Sequence, residues 1–262
     1  MPNPSRVGDE PGPSSMKHQY YGDVNDYIKY GLLRIFAATA RLRLGVAWML
    51  TPPGPPNEGG RIAYLSRPDL WKSYDPELFC LLRKRVVAGQ RNAHWAVHDG
   101  LLPPDTLYFP PPVRPTGRLN DRWVPSRPEM REVYFRDLAE ALDEADLCFF
   151  DPDNGLEVKS VPKGHLSSPQ YVYYDEIAAI LRTGRSVMVL QYFPRQQRGP
   201  YLAARGADLK IHLPPADIWA LEAANIGLFL IGHPQHQSVL QAGLSAIRRS
   251  AWHPRQVRLH SL

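Results

Sequence analysis

The chain has 262 residues, of which 44% are hydrophobic and 22% charged, with a formal net charge of +5. This length and composition suit an ordinary soluble globular protein of one large domain or two small ones. No run of about 18 apolar residues occurs, which excludes a transmembrane helix, and the basic balance permits nucleic-acid binding without demanding it.

The opening "MPNPSRVGDEPGPSS" is polar and rich in Pro, Gly and Ser. It lacks the apolar core of a signal peptide, so residues 1–17 read as a disordered tail on a cytoplasmic protein. The two cysteines, Cys80 and Cys148, both lie in apolar segments and read as buried reduced thiols. With no CxxC or HExxH spacing, a structural zinc is not expected.

In chain order, "HQYYGDVNDYIKYGLLRIFAATARL" (18–42) predicts a helix capped by Asp23 or Asn25, with Ile28, Leu32, Leu33 and Phe36 at helical spacing. "RLGVAWML" (43–50) reads as a buried strand, "TPPGPPNEGG" (51–60) as a loop, and "RIAYLS" (61–66) as a second short strand. A helix over 75–90 has Asp75 as its N-cap and Pro76 at its first position. "TLYFPPPV" (106–113) is a strand ended by prolines, and a Pro-rich loop fills 110–128. The segment 129–145 predicts an amphipathic helix with Val133, Leu138 and Leu142 on its apolar face.

"DLCFFD" (146–151) then reads as a strand, 171–184 as a helix closed by Gly184, and 185–194 as an apolar central strand. Two strands are expected within 217–234, a helix over 236–252 and a last strand over 255–261. This alternation predicts an α/β fold: one Rossmann-like domain over 18–262 with a mainly parallel sheet. The segments 182–186, 194–206 and 247–258 are basic, and their Tyr and Trp residues suit base stacking.

The most informative stretch is "CFFDPDNGLEVKS" (148–160), an apolar strand that stops at Asp151-Pro152-Asp153-Asn154-Gly155. Ligands of open α/β sheets bind at the carboxyl ends of strands. Pro152 stiffens the presentation of Asp151, and Gly155 supplies the freedom of a tight turn.

Two chemistries suit these residues when read alone. Asp151, Asp153 and Glu157, with Lys159 beside them, have the composition of a Mg²⁺-dependent nuclease or hydrolase site. Asp23, Asp26, Asp175 and Glu176 are further carboxylates for such a site. A non-catalytic nucleic-acid-binding module is the other alternative. His233 and His236 are spaced either to share a metal or to start a helix, and the second is the simpler reading. Tyr173, Tyr174 and Trp48 read as core residues. No G-x-S-x-G elbow supports a Ser-His-Asp triad.

Three stretches resemble class I S-adenosylmethionine-dependent methyltransferases, nearest the bacterial ribosomal-RNA adenine-N6 family of Asp-Pro-Pro-Tyr type. "GDVNDYIKYGLL" (22–33) is similar to that family's N-terminal Gly-Asn-x-Ala-Asp-x-x-Lys-His helix, and "FFDPDNG" (149–155) stands at its Asp-Pro-Pro-Tyr strand end. The late order of "RSVMVLQYFP" followed by "IGLFLIGHPQHQSVLQAGLSAI" is also similar. The resemblance implies a methyltransferase-type three-layer fold and methyl transfer to a nucleic acid, at an adenine amine.

It also implies roles. Asp151 and the Pro152 carbonyl would accept hydrogen bonds from the target amine, with Asp153 or Asn154 assisting. Asn25, Asp26, Lys29 and Tyr30 would line the cofactor pocket. Asp153-Asn154 replace Pro-Tyr, which leaves Phe150, Tyr192 or Phe193 as candidates to supply the stacking ring. The first strand is followed by no G-x-G loop, which leaves Gly59 and Gly60 as candidates to approach the cofactor.

Overall fold

The computed structural model describes residues 20–51, 60–110, 112–113, 118–119 and 122–262. The 1–17 tail, Gly59 with most of the 51–60 loop, and much of the 110–128 loop lie outside them. Helix α1 (Val24–Ala40) begins where the Asp23 carboxylate accepts the Asp26 N–H, satisfying a backbone donor that the first turn leaves open. Strand β1 (Leu44–Ala47) ends earlier than its apolar run because Met49 takes a positive φ of 41°, which bends the chain out of the sheet.

Residues 61–66 are not a strand. Ala63–Ser66 form a 3₁₀ turn that leads into α2 (Pro68–Trp71) and α3 (Pro76–Val87), the latter capped by Asp75 as its sequence implies. Cys80 is exposed, contrary to expectation. The buried side of α3 is formed by Leu78, Phe79 and Leu82, and position 80 falls off that stripe.

Helix α4 (His94–His98), strand β2 (Leu107–Phe109) and the short antiparallel pair β3 (Pro112–Val113) and β4 (Arg118–Leu119) follow. In α5 (Pro128–Ala141) the buried residues are Arg131, Tyr134, Phe135 and Leu138. Val133 is exposed instead of sharing the face of Leu138 and Leu142, because Arg131 is drawn inward by a buried ion pair with Glu176.

Strand β5 (Leu147–Phe150) leads to the turn at 151–155. A small parallel pair, β6 (Gly155–Leu156) and β7 (Tyr171–Val172), precedes α6 (Tyr174–Leu181). After β8 (Ser186–Tyr192) comes α7 (Arg198–His212), which the sequence reading passed over. Gly199 and Pro200 at its start and a charged exterior mask the buried spacing of Leu202, Gly206 and Leu209. Strands β9 (Asp217–Glu222) and β10 (Ile226–Gly232), helix α8 (Gln237–Arg249) and strand β11 (Arg258–Ser261) complete the chain.

Seven strands form one mixed sheet in the order β11-β9-β10-β8-β5-β1-β2. The pairings β2-β1, β1-β5 and β5-β8 are parallel, and those from β8 outward through β10, β9 and β11 are antiparallel. Because β10 opposes both β8 and β9, five strands share one direction and only β10 and β11 oppose them.

Successive residues of each strand face opposite layers. Leu147 and Phe149 pack with α1 and α8, whereas Cys148 and Phe150 pack with α5 and α6. The result is the Rossmann-like three-layer arrangement of helices on both faces of a sheet. Gly31 and Gly243 let α1 close on this layer. A Cβ at Gly31 would stand 2.5 Å from the Trp252 ring, and one at Gly243 would stand 2.4 Å from Phe36.

The chain leaves β1 toward β2 on one side and later returns to β5 on the other. The sheet's switch point therefore lies at the carboxyl ends of β1 and β5, where open α/β sheets bind ligands.

Candidate functional site

At that switch point Asp151 N–H donates to the Ala47 carbonyl at 2.9 Å, so the ends of β1 and β5 are level. The Lys29 ammonium reaches across from α1. Its Nζ lies 2.6 Å from Asp151 Oδ2 and 2.7 Å from Asp26 Oδ1. Asp26 Oδ2 accepts the Gly22 N–H at 2.9 Å, which anchors the pair to the start of the helix. Asp26 and Lys29 lie one turn apart on the same face, as their spacing implies, and both are buried.

Burial works against the charge of Lys29, but the carboxylates of Asp151 and Asp26 outweigh it and hold the amine well above its usual range. Lys29 is thus an ammonium, unfit as a base or nucleophile. Burial raises the Asp26 carboxyl, with Lys29 opposing. Asp23 is pushed from 3.8 to about 7, first by burial and then by the charge of Asp26.

A buried acid with a raised pKa favours folding most below its unfolded pKa and loses that advantage as pH rises toward the folded value. Wild-type stability should therefore carry a downward component between about pH 4 and 7. Asp23→Asn keeps an oxygen to cap Asp26 N–H and removes this component. Urea titrations across that window should show the variant gaining relative to wild type as pH rises; parallel curves would mean Asp23 is an ordinary acid.

No hydrogen-bond donor among the described residues reaches Asp151 Oδ1 or the Pro152 carbonyl. These two acceptors lie at adjacent positions at the end of β5, with Pro152 buried and the Asp151 side chain 13% exposed. The following turn is clamped on both sides. Thr51 Oγ1 donates to Asp153 Oδ2 at 2.5 Å, tying the turn to the end of β1. Asn154 donates from N and Nδ2 to the backbone and side-chain oxygens of Gln170, at 2.9 and 3.0 Å. Its carbonyl accepts Tyr192 N–H at 3.0 Å and Gln191 Nε2 at 2.9 Å. Gln191 Oε1 also accepts Leu156 N–H at 3.0 Å.

Sequence reasoning missed Thr51 and Gln191. The signal for Gln191 was a lone polar residue inside an apolar strand, since a buried carboxamide must find partners.

Among the other expected site residues, Asn25 is buried and its Oδ1 has no partner among the described residues. Tyr30 is a core residue whose hydroxyl accepts Trp48 Nε1 at 3.3 Å, while Trp48 stacks on Tyr108 with ring centres 5.1 Å apart. Gly60 is exposed with no neighbour among the described residues where a Cβ would stand, and Gly59 lies outside the described residues. Phe150 is fully buried and unavailable to a ligand, leaving Tyr192 and Phe193, both half-buried, as the aromatic residues beside the turn.

The nuclease carboxylates take separate partners. Asp151 binds Lys29, Asp153 binds Thr51, and Glu157 accepts Tyr174 N–H at 2.7 Å at the start of α6. Lys159 is exposed. Among the described residues no group of three or more His, Cys, Asp or Glu side chains could hold a metal ion. Asp175 pairs with Lys163 and Glu176 with Arg131, away from the turn.

His233 caps the short turn before α8 by accepting Gln235 N–H. His236 lies 3.0 Å from Ser186 Oγ and 3.6 Å from Asp146 Oδ1. This Ser-His-Asp grouping lies at the amino edge of the sheet, and Ser186 is fully buried with its Oγ accepting His233 N–H, so it ties the α8 turn to β8.

Among the described residues no helix is long and apolar enough to cross a membrane. No family model matches the chain, and neither a curated protein nor a solved structure matches it.

Proposed function

We propose that this protein transfers a methyl group from S-adenosylmethionine to an amine on a nucleic acid, with adenine N6 as the acceptor that the Asp-Pro motif favours. The observation that carries the reading is the pair of unpartnered acceptors, Asp151 Oδ1 and the Pro152 carbonyl, at the sheet's switch point. An exocyclic amine has two N–H donors, and two fixed acceptors orient its lone pair toward a methyl donor. Lys29 holds Asp151 through its other oxygen, so the acceptor is positioned before substrate arrives.

The residues near the start of α1 suit the cofactor. S-adenosylmethionine, when bound, supplies the methyl group from a positively charged sulfur. Asp23, Asp26 and Asp151 gather three carboxyl groups around the single Lys29 ammonium, which makes the site acidic within a chain of net charge +5. Such a site favours a cation over a neutral analogue. The unpartnered Oδ1 of Asn25 offers an acceptor to a donor group of the cofactor.

Calorimetric titration tests this. S-adenosylmethionine is expected to bind with micromolar affinity, more tightly than the neutral-sulfur product S-adenosylhomocysteine. Its affinity should rise as pH passes about 7 and Asp23 gives up its proton. No binding at any pH, or Mg²⁺ binding that disappears in Asp151→Ala, would overturn the reading.

A further inference from the structure

A cleft of about 600 Å³ opens beside the site, lined by Arg61, Tyr192, Phe193, Arg195 and Arg198 among others. Two of its walls are fastened to the site itself. Tyr192 N–H donates to Asn154 within the turn, and the Arg61 carbonyl accepts Val24 N–H at the first residue of α1. Burial, and after it the nearby carboxylate of Asp23, raise the Tyr192 hydroxyl, and Asp151 adds to the effect. Through Tyr192 and Arg61 the cleft adjoins the turn after β5 and the start of α1.

Its three arginines are not equivalent. Arg198 is a brace: its guanidinium donates to the carbonyls of Ala223 and Ala224, pairs with Glu222 and lies over the Phe193 ring. Arg61 and Arg195 are exposed and make no ion pair or side-chain hydrogen bond among the described residues. Two exposed guanidiniums from separate segments, lining one cleft with Tyr192 and Phe193, have the chemistry of a nucleic-acid strand site: cations for the phosphates and aromatic rings for a base. A cleft of this volume has room for a nucleotide.

We propose that Arg61 and Arg195 form a two-point phosphate site for one unpaired nucleic-acid strand, with Tyr192 or Phe193 stacking on the nucleotide that faces Asp151. This rests on the methyl-transfer reading for the role of Asp151, but binding at the cleft is measurable without it.

The probe is a fluorescein-labelled oligoriboadenylate of about 12 nucleotides, followed by anisotropy in a salt series. Arg61→Ala and Arg195→Ala should each weaken binding by about tenfold, since a hydrogen bond to a charged group is lost. The double variant should flatten the salt dependence by about 0.7 per phosphate contact removed. Arg195→Lys should keep the salt slope while losing part of the affinity. Both arginines are exposed and make no ion pair among the described residues, so thermal unfolding should not change.

Binding unaffected by the double variant, a duplex of the same sequence binding more tightly, or adenosine monophosphate competing as well as the strand would each overturn the phosphate site. Calorimetry with S-adenosylmethionine on the same proteins separates the two ideas. Arginine-dependent strand binding without cofactor binding would sink the methyl-transfer reading alone. Cofactor binding without arginine-dependent strand binding would sink the phosphate site alone.

Discussion

Lys29→Met is expected to lower the free energy of unfolding by about 3–5 kcal/mol, because it strands two carboxylates in a site built around one ammonium. The side chains of Asp26 and Asp151 are only 6% and 13% exposed, so water cannot take the place of Lys29 without rearrangement. For a chain of this size the loss corresponds to a fall in Tm of about 10 °C. The comparison with Asp151→Ala is informative because the cluster is asymmetric. Without Asp151, Lys29 still has Asp26 at 2.7 Å, so no buried charge is left alone and the stability cost should be only about 1–2 kcal/mol.

The functional effects run the other way. On the proposed reading, Asp151→Ala removes one of the two unpartnered acceptors and should reduce methyl transfer by on the order of a hundredfold or more while the protein stays folded. In Lys29→Met the stranded carboxylates take up protons more readily. The stability gap to wild type should therefore narrow at about pH 5 relative to about pH 8. Calorimetric melting at both pH values measures this. Equal losses for Lys29→Met and Asp151→Ala would mean the cluster is well hydrated, and full activity in Asp151→Ala would remove Asp151 from the chemistry.

Gly155→Ala is expected to cost about 3–4 kcal/mol, combining backbone strain with a clash at a clamped turn. Gly155 has a φ of +126°, a region that residues with a Cβ rarely enter, and an added Cβ would stand 2.4 Å from Gln191 Oε1. Gln191 cannot simply move aside, because its carboxamide satisfies both Leu156 N–H and the Asn154 carbonyl. Displacing it would leave the buried Leu156 N–H unpaired and shift the turn that carries Asp151 and Asp153.

Gly100→Ala is the control. Its φ is +62° with open space around it, so it should lose only about 1–2 kcal/mol. Denaturant unfolding of both variants decides the matter. A Gly155→Ala loss no larger than that of Gly100→Ala would show that Gln191 does not set the turn.

Much of this architecture is legible in the sequence because its causes are local. Asp23 and Asp75 announce helix starts, since a carboxylate beside open N–H groups acts within three residues. The apolar runs at 147–150 and 186–192 announce central strands, and Asp-Pro at the end of one of them marks the carboxyl edge where ligands bind. The same locality explains the failures. Ala63–Ser66 carries a strand's composition but forms a 3₁₀ turn, and α7 hides its periodicity behind Gly199 and Pro200.

What only the tertiary structure decides is which of the candidate residues meet. Lys29 and Asp151 lie 122 residues apart, and Thr51 and Asp153 lie 102 apart. No spacing rule reaches across such distances; the sheet order does, by placing β5 beside β1 under the face covered by α1. The same order assigns Glu157 to α6 and Phe150 to the core. It also brings Arg61 and Arg195, from separate segments, to one cleft. Composition and pattern determined that an acidic turn would stand at the carboxyl edge of a central strand. The packing of α1 against that edge determined which carboxylate is held and which acceptors stay unpartnered.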